Sequence, residues 1–296
     1  MTNRRPILVA IAGLSLAAIP LAAQQRQGPT PEQRAEQERR YREELAAPRP
    51  VDALNSIWIE DLTWMEVRDA QAAGKKTVII ATGGVEQNGP YAATGKHNII
   101  LKGACEGIAR KLGNALCAPV VPFVPEGNID PPSGHMRYPG SISLSEATFE
   151  ALLTDIADSF RATGFTEVIL IGDSGGNQTG CKNVAAALNA KWGGKATARY
   201  IPEFYQYEKM VEYMNKELGI VEPTDEGYHD YYWVTVLMMA VDPGSVRYDE
   251  RVKAGKATIN GLSIAPKEKH MEIGRKLMAY RVSQTVAAIA AQRGTK

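Results

Sequence analysis

The sequence predicts an α/β fold with a mostly parallel central sheet, because one pattern occurs twice along the chain. In residues 77–82 and again in 167–171, an apolar, β-branched run leads into a glycine-rich loop, and a helical pattern follows. Apolar runs bounded by glycines are typical of buried strands. The repeated order of strand, loop and helix favours βαβ crossovers, which place successive strands in parallel.

Further elements follow from capping and periodicity. Thr63 and Glu66 form a capping box that predicts a helix ending near residue 73, and Gly74 stops it. Ser145 is the expected N-cap of a helix with an apolar stripe. Other patterns predict helices over 99–112 and 267–291 and strands over 115–121 and 198–201. The proline-rich residues 122–139 predict a long loop, and such loops tend to be functional.

The first 23 residues have the order of a secretory signal peptide. Two arginines precede an apolar run, and small residues precede Gln24. Residues 24–56 are polar and charged and predict an N-terminal arm with a short solvated helix beginning at Thr30. We therefore expect a signal peptide over 1–23, an arm over 24–56, an α/β domain over 57–296, and a periplasmic or secreted protein with no membrane contact after signal removal.

The charge balance points to a small-molecule partner. The chain has 34 Lys plus Arg against 33 Asp plus Glu, so no overall field favours nucleic acid or an anionic membrane.

The three cysteines, Cys105, Cys117 and Cys181, match no zinc ribbon and cannot all pair within the chain. We expect Cys105 and Cys117 to be small buried apolar residues, because they lie in an apolar helix face and an apolar strand.

The loop after the first predicted strand contains two groups with catalytic chemistry. Glu86 lies at the strand end, and His97, one of four histidines, closes the same loop. Sites of open α/β sheets form at the carboxyl ends of strands. The sequence therefore predicts a site around Glu86.

Three motifs resemble those of the creatininase (creatinine amidohydrolase) family. Residues 83–91, G-G-V-E-Q-N-G-P-Y, followed by G-K-H, are similar to G-x-x-E-Q-H-G-P-H-x-x-x-G-T-D. Residues 135–144, H-M-R-Y-P-G-S-I-S-L, resemble H-x-x-F-P-G-T-I-S-L, and 172–177, G-D-S-G-G-N, resemble N-G-H-G-G-N. The resemblance covers roughly residues 57–290. It implies a three-layer α/β/α sandwich and a homo-oligomer, with a hexamer as a frequent form in the family.

The resemblance also implies a metal site, but the chain departs from the family's ligands. Glu86 is retained, whereas Asn88 and Ser174 replace histidines, His97 replaces an aspartate and Val234 replaces a late glutamate. Asn and Ser are poor ligands for zinc or manganese.

We therefore expect a rewired site in which Glu86, His97 and Asp173 hold one divalent metal, zinc or manganese. For Asp173 the alternative is a carboxylate stabilised by a helix N-terminus. His229 falls on a histidine that the family uses for proton transfer, and a neutral imidazole suits protonation of a leaving amine. The substrate pocket is expected to include Asn88, His135, Tyr138 and Asn177, and His270 is expected to be solvated.

The predicted function is a secreted hydrolase of a C–N bond in a small, cyclic or open amide, using a metal-activated water. Two alternatives remain. Ser174 follows a strand in a glycine loop, so Ser174 and His229 could form a metal-independent hydrolase. The altered ligand positions also fit a non-catalytic binding or assembly protein.

Overall fold

The computed structural model describes residues 29–294, so the predicted signal peptide lies outside the described residues. The chain divides into two compact units, Met1–Pro48 and Arg49–Lys296.

The first unit contains helix α1 (Pro31–Ala46), and no residue of this helix is buried. Thr30 accepts from the backbone of Gln33, whose side chain accepts from the backbone of Thr30, so the predicted capping box is present. Glu36 pairs with Arg39 and Arg40 on the exposed surface. The prediction of a solvated helix in the arm is confirmed.

The second unit is built on a four-stranded parallel sheet with the order β2-β1-β3-β4. The strands are β1 (Thr77–Thr82), β2 (Ala115–Cys117), β3 (Glu167–Gly172) and β4 (Thr197–Tyr200). Every residue of β1 is buried, as its apolar sequence predicts for a central strand. A separate antiparallel pair joins β5 (Thr258–Ile259) to β6 (Leu262–Ser263).

Helices flank the sheet, which confirms the predicted α/β fold. The helices of this unit are α2 (Trp64–Ala72), α3 (Lys96–Leu112), α4 (Glu146–Ala162), α5 (Asn177–Trp192), α6 (Tyr207–Glu217), α7 (Tyr232–Val241), α8 (Tyr248–Lys253) and α9 (Lys267–Gly294). Helix α3 packs on β1 and β2 and against α9, while α4 and α5 pack together and on β3. None of the helices in residues 29–294 has the length and apolar character needed to cross a bilayer.

Two element boundaries differ from the predictions for local reasons. Helix α3 begins at Lys96 rather than at residue 99, so the end of the Glu86 loop is helical. Strand β2 ends at Cys117 because Pro119 has no N–H for the ladder. The chain nevertheless stays beside β1, since the N–H of Val121 donates to the carbonyl of Ala81 at 2.9 Å.

The interpretation of Cys105 and Cys117 as unpaired residues is wrong, because they form a disulfide with a Cα–Cα distance of 6.3 Å. The helical and strand patterns are local and do not show that α3 packs on β2. This packing brings the two thiols together. Cys181 is a buried free cysteine, and burial raises the pKa of its thiol to about 12. Cys181 is therefore expected to be unreactive.

The expectation of a solvated His270 is also wrong. His270 is buried, and its Nδ1 lies 2.7 Å from the hydroxyl of Tyr232 while its Nε2 lies 3.2 Å from the carbonyl of Ala265. Its position on the long helix α9 gave no sign of this burial, which comes from the packing of α7 on α9.

The disulfide generates a prediction about thiol content. Protein purified from an oxidising compartment and denatured without reductant should have one thiol that reacts with iodoacetamide, and three after reduction, as counted by mass spectrometry. The double variant Cys105→Ser, Cys117→Ser should lose about 2–3 kcal/mol of unfolding free energy, because the closed loop is short. Three reactive thiols without reductant would contradict the pairing.

Candidate active site

The candidate site lies where β1 and β3 end at the same edge of the sheet. The two strands are in parallel register, with Thr82 opposite Gly172. The loop after β1 therefore brings Glu86 close to Asp173, which directly follows β3. Helix α3 begins beside them and contributes Lys96 and His97 from its first turn. Glu86, His97 and Asp173 therefore lie together at the carboxyl ends of β1 and β3.

Glu86 is buried and lies within ion-pair distance of four basic side chains, of which His229 is the farthest, with Nδ1 3.8 Å from Oε1. Its Oε1 lies 3.0 Å from Nζ of Lys96 and 2.9 Å from Nε2 of His97. Its Oε2 lies 3.1 Å from Nε2 of His135. Burial alone would raise the pKa of Glu86, but the hydrogen bond from His97 and the charge of Lys96 hold this pKa well below its usual range. Glu86 is therefore ionised at neutral pH.

His97 lies between the two carboxylates, because its Nδ1 is 2.9 Å from Oδ2 of Asp173 while Nε2 faces Glu86. An ionised carboxylate only accepts hydrogen bonds. His97 therefore bridges the two carboxylates through both of its ring nitrogens.

Asp173 is fully buried and has further partners on the side away from His97. Its Oδ1 accepts from Nη2 of Arg281 and, at 3.0 Å, from the hydroxyl of Tyr207. Burial would raise the pKa of Asp173, but the positive charges of Arg281 and His97 lower it to about 2. The alternative reading, a carboxylate held only by the dipole of a helix, is therefore incomplete, since charged side chains surround this group.

Glu126 is a second buried carboxyl group near Glu86. Its Oε2 accepts from the hydroxyl of Ser174 at 3.1 Å, and its buried Oε1 has no hydrogen-bond partner within residues 29–294. Burial and the negative charge of Glu86 raise the pKa of Glu126 to about 9. Glu126 therefore holds a proton at neutral pH.

A cavity of about 460 Å³ opens onto these groups. Three of the chain's four histidines line it, His97, His135 and His229. The remaining lining residues are Glu86, Lys96, Pro125, Glu126, Gly127, Glu146, Ser174, Gly175, Gly176, Thr179, Tyr205 and Tyr207. The predicted long loop supplies Glu126 and His135 to this lining.

Three of the four predicted pocket residues do not line this cavity. Asn177 is buried, and its side-chain amide donates to the carbonyl of Thr82 at 2.8 Å, so it fixes the end of β1 to α5. Asn88 is buried and donates to the carbonyl of Glu86 at 3.0 Å. Tyr138 is exposed. The loops with the family motifs reach this cavity, but neighbouring residues of a loop point in different directions.

The three expected metal ligands lie together, but not as a ligand set. Both ring nitrogens of His97 face carboxylates, and Asp173 pairs with Arg281. Both nitrogens of His97 are thus engaged by carboxylates, whereas His135 directs only Nε2 at Glu86.

A different group can hold a metal ion. Among residues 29–294, Glu86, His135 and His229 form a set whose ligand atoms all lie within 4.8 Å of one another. Nδ1 of His229 is 3.2 Å from the carbonyl of Gln87, which can only accept, so this nitrogen carries the proton and Nε2 keeps its lone pair. Burial lowers the pKa of His229, which favours the neutral ring that a ligand requires. One carboxylate and two imidazoles suit zinc or manganese.

The structure does not show the hydrogen bond between Ser174 and His229 that a metal-independent hydrolase would need, within residues 29–294. The hydroxyl of Ser174 donates to Glu126, and no hydrogen bond joins it to a histidine in the described part of the chain. A serine nucleophile needs a base that accepts its proton. Glu126 is a weak candidate for that base, because its carboxyl is already protonated at neutral pH.

Four residues of the site were missed by the sequence interpretation: Lys96, Glu126, Tyr207 and Arg281. Lys96 stands inside a recognised motif, at a position where the family pattern has threonine, so it could have been found. Glu126 lies in the loop predicted to be functional. Tyr207 and Arg281 carry no local signal, because they reach Asp173 from elements far along the chain.

The pairing of Arg281 with Asp173 generates a prediction. Arg281→Met should lower the unfolding free energy by about 3–5 kcal/mol at pH 7, because it leaves a buried carboxylate without its cation. Arg275→Met, on an exposed side of the same helix, should cost less than about 1 kcal/mol. Urea unfolding of both variants measures these losses.

The pH dependence of the same variants tests the cause. Asp173 has a folded pKa of about 2, below its ordinary value of 3.8, so its contribution is complete above about pH 4 and is lost as the pH falls toward 2. Without Arg281 the carboxyl should take up its proton at a higher pH. The deficit of Arg281→Met should therefore be smaller at pH 4 than at pH 7. An equal deficit at both values would show that packing, rather than charge, explains the loss.

Known proteins similar to this chain include creatininases. The creatinine amidohydrolase of Pseudomonas putida is 25% identical over 116 residues, which cover 39% of this chain and 44% of that protein. The aligned region thus spans less than half of that relative. A mutant creatininase has a TM-score of 0.58 at 19% identity, covering 80% of this chain and 99% of its own. A structure designated creatininase Mn has a TM-score of 0.55 at 19% identity, covering 80% and 97%.

At these identities the solved structures show that the fold is shared. A family profile described as creatinine amidohydrolase (creatininase) matches residues 60–289, which is more than half of the chain. The chain therefore belongs to the creatininase family.

Proposed function

We propose that this protein hydrolyses a C–N bond of a small amide in the cavity at Glu86, with one divalent metal held by Glu86, His135 and His229. The observation that carries the proposal is the convergence of these three side chains on the wall of the cavity. Membership in a family named for amide hydrolysis supports the reaction class.

Glu86 and His229 suit a metal because their surroundings favour the ionised carboxylate and the neutral imidazole. Glu86 is kept ionised by Lys96 and His97, and burial lowers the pKa of His229, which favours its neutral ring. Ligands must be deprotonated before they bind a metal, so this arrangement reduces the competition from protons. When bound, a divalent metal supplies an acidified water and polarises a carbonyl group.

The remaining residues of the cavity can position the substrate and move protons. Glu126 holds a proton at neutral pH beside the ligand set, so its carboxyl can donate to the departing nitrogen. His229 is the alternative proton carrier that the sequence predicts, and its role in proton transfer stays a prediction.

The cavity favours a small and polar substrate. A volume of about 460 Å³ is within the range of small-molecule sites and leaves little room for a peptide chain. Its wall carries acidic groups at Glu126 and Glu146 and hydroxyl groups at Ser174, Thr179 and Tyr205. A compact amide with several hydrogen-bonding groups would match this wall.

The cellular setting is part of the proposal. We propose that the protein is exported, because its sequence begins with a signal-like segment and the structure contains a disulfide. Disulfides persist in oxidising compartments and are rare in the cytosol. The homo-oligomer implied by the family resemblance stays a prediction.

The proposed function is tested with a panel of open and cyclic amides at pH 7–8, in buffer containing zinc or manganese. Hydrolysis is detected by mass spectrometry as the addition of one water. We expect turnover of at least one amide by the wild type, reduced at least about a hundredfold in Glu86→Gln and His135→Ala, because both remove candidate ligands. Bound metal, measured by elemental analysis, should fall in both variants.

His270→Asn is the matched control, because His270 is the histidine that does not line the cavity. It should keep its metal content and its activity, corrected for any loss of folded protein. Equal metal content and activity in His135→Ala and the wild type would contradict the proposed ligand set. Failure of every amide, with metal bound, would instead favour a binding or assembly role.

A further inference from the structure

The ammonium group of Lys96 is a buried cation on the wall of the cavity. Its side chain is 7% exposed, and Nζ lies 3.0 Å from Oε1 of Glu86. An ammonium has three N–H donors. Within residues 29–294 no second hydrogen-bond acceptor or ion-pair partner contacts this group, so it retains donors that can face the cavity.

Glu86 does not require Lys96 as its only counter-charge. The same Oε1 accepts a hydrogen bond from His97 at 2.9 Å, and Oε2 faces His135. Lys96, His97 and Arg281 thus surround the carboxylates of Glu86 and Asp173. His97 contacts both carboxylates and Arg281 also donates to the carbonyl of Phe204, whereas the ammonium of Lys96 contacts Glu86 alone among residues 29–294.

A buried positive charge at the position of Lys96 costs folding free energy unless a negative group compensates it. It is the first residue of α3, and a positive side chain at a helix N-terminus adds to the positive end of the helix dipole. The charge of Lys96 and the dipole of α3 both make this point of the cavity favourable for negative charge. The family pattern has threonine at this position, so the cation is a feature of this chain.

We infer that the ammonium of Lys96 binds the carbonyl oxygen of the substrate and stabilises the negative charge that forms on it. This inference rests on the proposed amide hydrolysis. As the oxygen of water bonds to the carbonyl carbon, the π electron pair moves to the carbonyl oxygen beside Lys96. When the C=O bond forms again, the C–N bond breaks, its electron pair stays on nitrogen, and nitrogen takes up the proton released by water. A preorganised donor at a developing oxyanion is a major source of catalysis.

The test uses methylphosphonate, a small tetrahedral anion that resembles the oxyanion and needs no knowledge of the substrate. Calorimetry measures its binding to the protein as purified, with metal content determined for every sample. Lys96→Met should bind it at least about tenfold more weakly than the wild type, because a buried charge-assisted contact is lost. Lys96→Arg, which keeps the charge, should lose less.

Lys102→Met is the matched control, since Lys102 lies on the same helix with an exposed side chain, and it should bind as the wild type does. Thermal unfolding checks that each variant is folded. No binding to the wild type at 10 mM, equal binding by Lys96→Met, or a loss that matches its loss of metal would each overturn the inference. If binding depends on Lys96 while no amide is hydrolysed, the oxyanion contact is supported and the proposed reaction fails.

Discussion

The imidazole of His97, held between the carboxylates of Glu86 and Asp173, is the contact on which the rest of the site depends. It contacts Glu86 in the loop after β1 and Asp173 directly after β3. His97 therefore connects the carboxyl ends of two neighbouring parallel strands. Burying two carboxylates would be costly without cations and hydrogen bonds to compensate. Arg281 and Lys96 supply the outer charges, so helix α9, helix α3 and both strand ends are fixed to one ionic cluster.

The polar groups around this cluster fall into two sets: those that bond mainly to one another and those that line the cavity. The hydrogen bonds of Asp173 and His97 join these two residues to each other and to Glu86, Arg281 and Tyr207. Other polar groups line the cavity. They are an ionised Glu86, a neutral His229 with one open nitrogen, a protonated Glu126 and the ammonium of Lys96. Such a division between a rigid support and an open face is what precise catalysis requires.

The fold and the location of the site were predictable because both follow from local patterns. Buried strands bounded by glycines, repeated with helices between them, require a parallel sheet, and parallel strands bring Glu86 and Asp173 to one edge. The contacts within the site, in contrast, depend on which residues the tertiary structure brings together. The sequence could not show that His97 faces two carboxylates, that Arg281 arrives from the last helix, or that Cys105 meets Cys117. Those contacts join residues that no local pattern connects.

The position of a bound metal tests this account most directly. Crystals soaked in zinc or manganese would locate the ion by anomalous X-ray scattering. The account predicts one peak within coordination distance, about 2.0–2.2 Å, of Glu86, His135 and His229, with His97 still between its two carboxylates. A peak on His97 or Asp173 would contradict it, and so would a cavity without any peak at saturating metal.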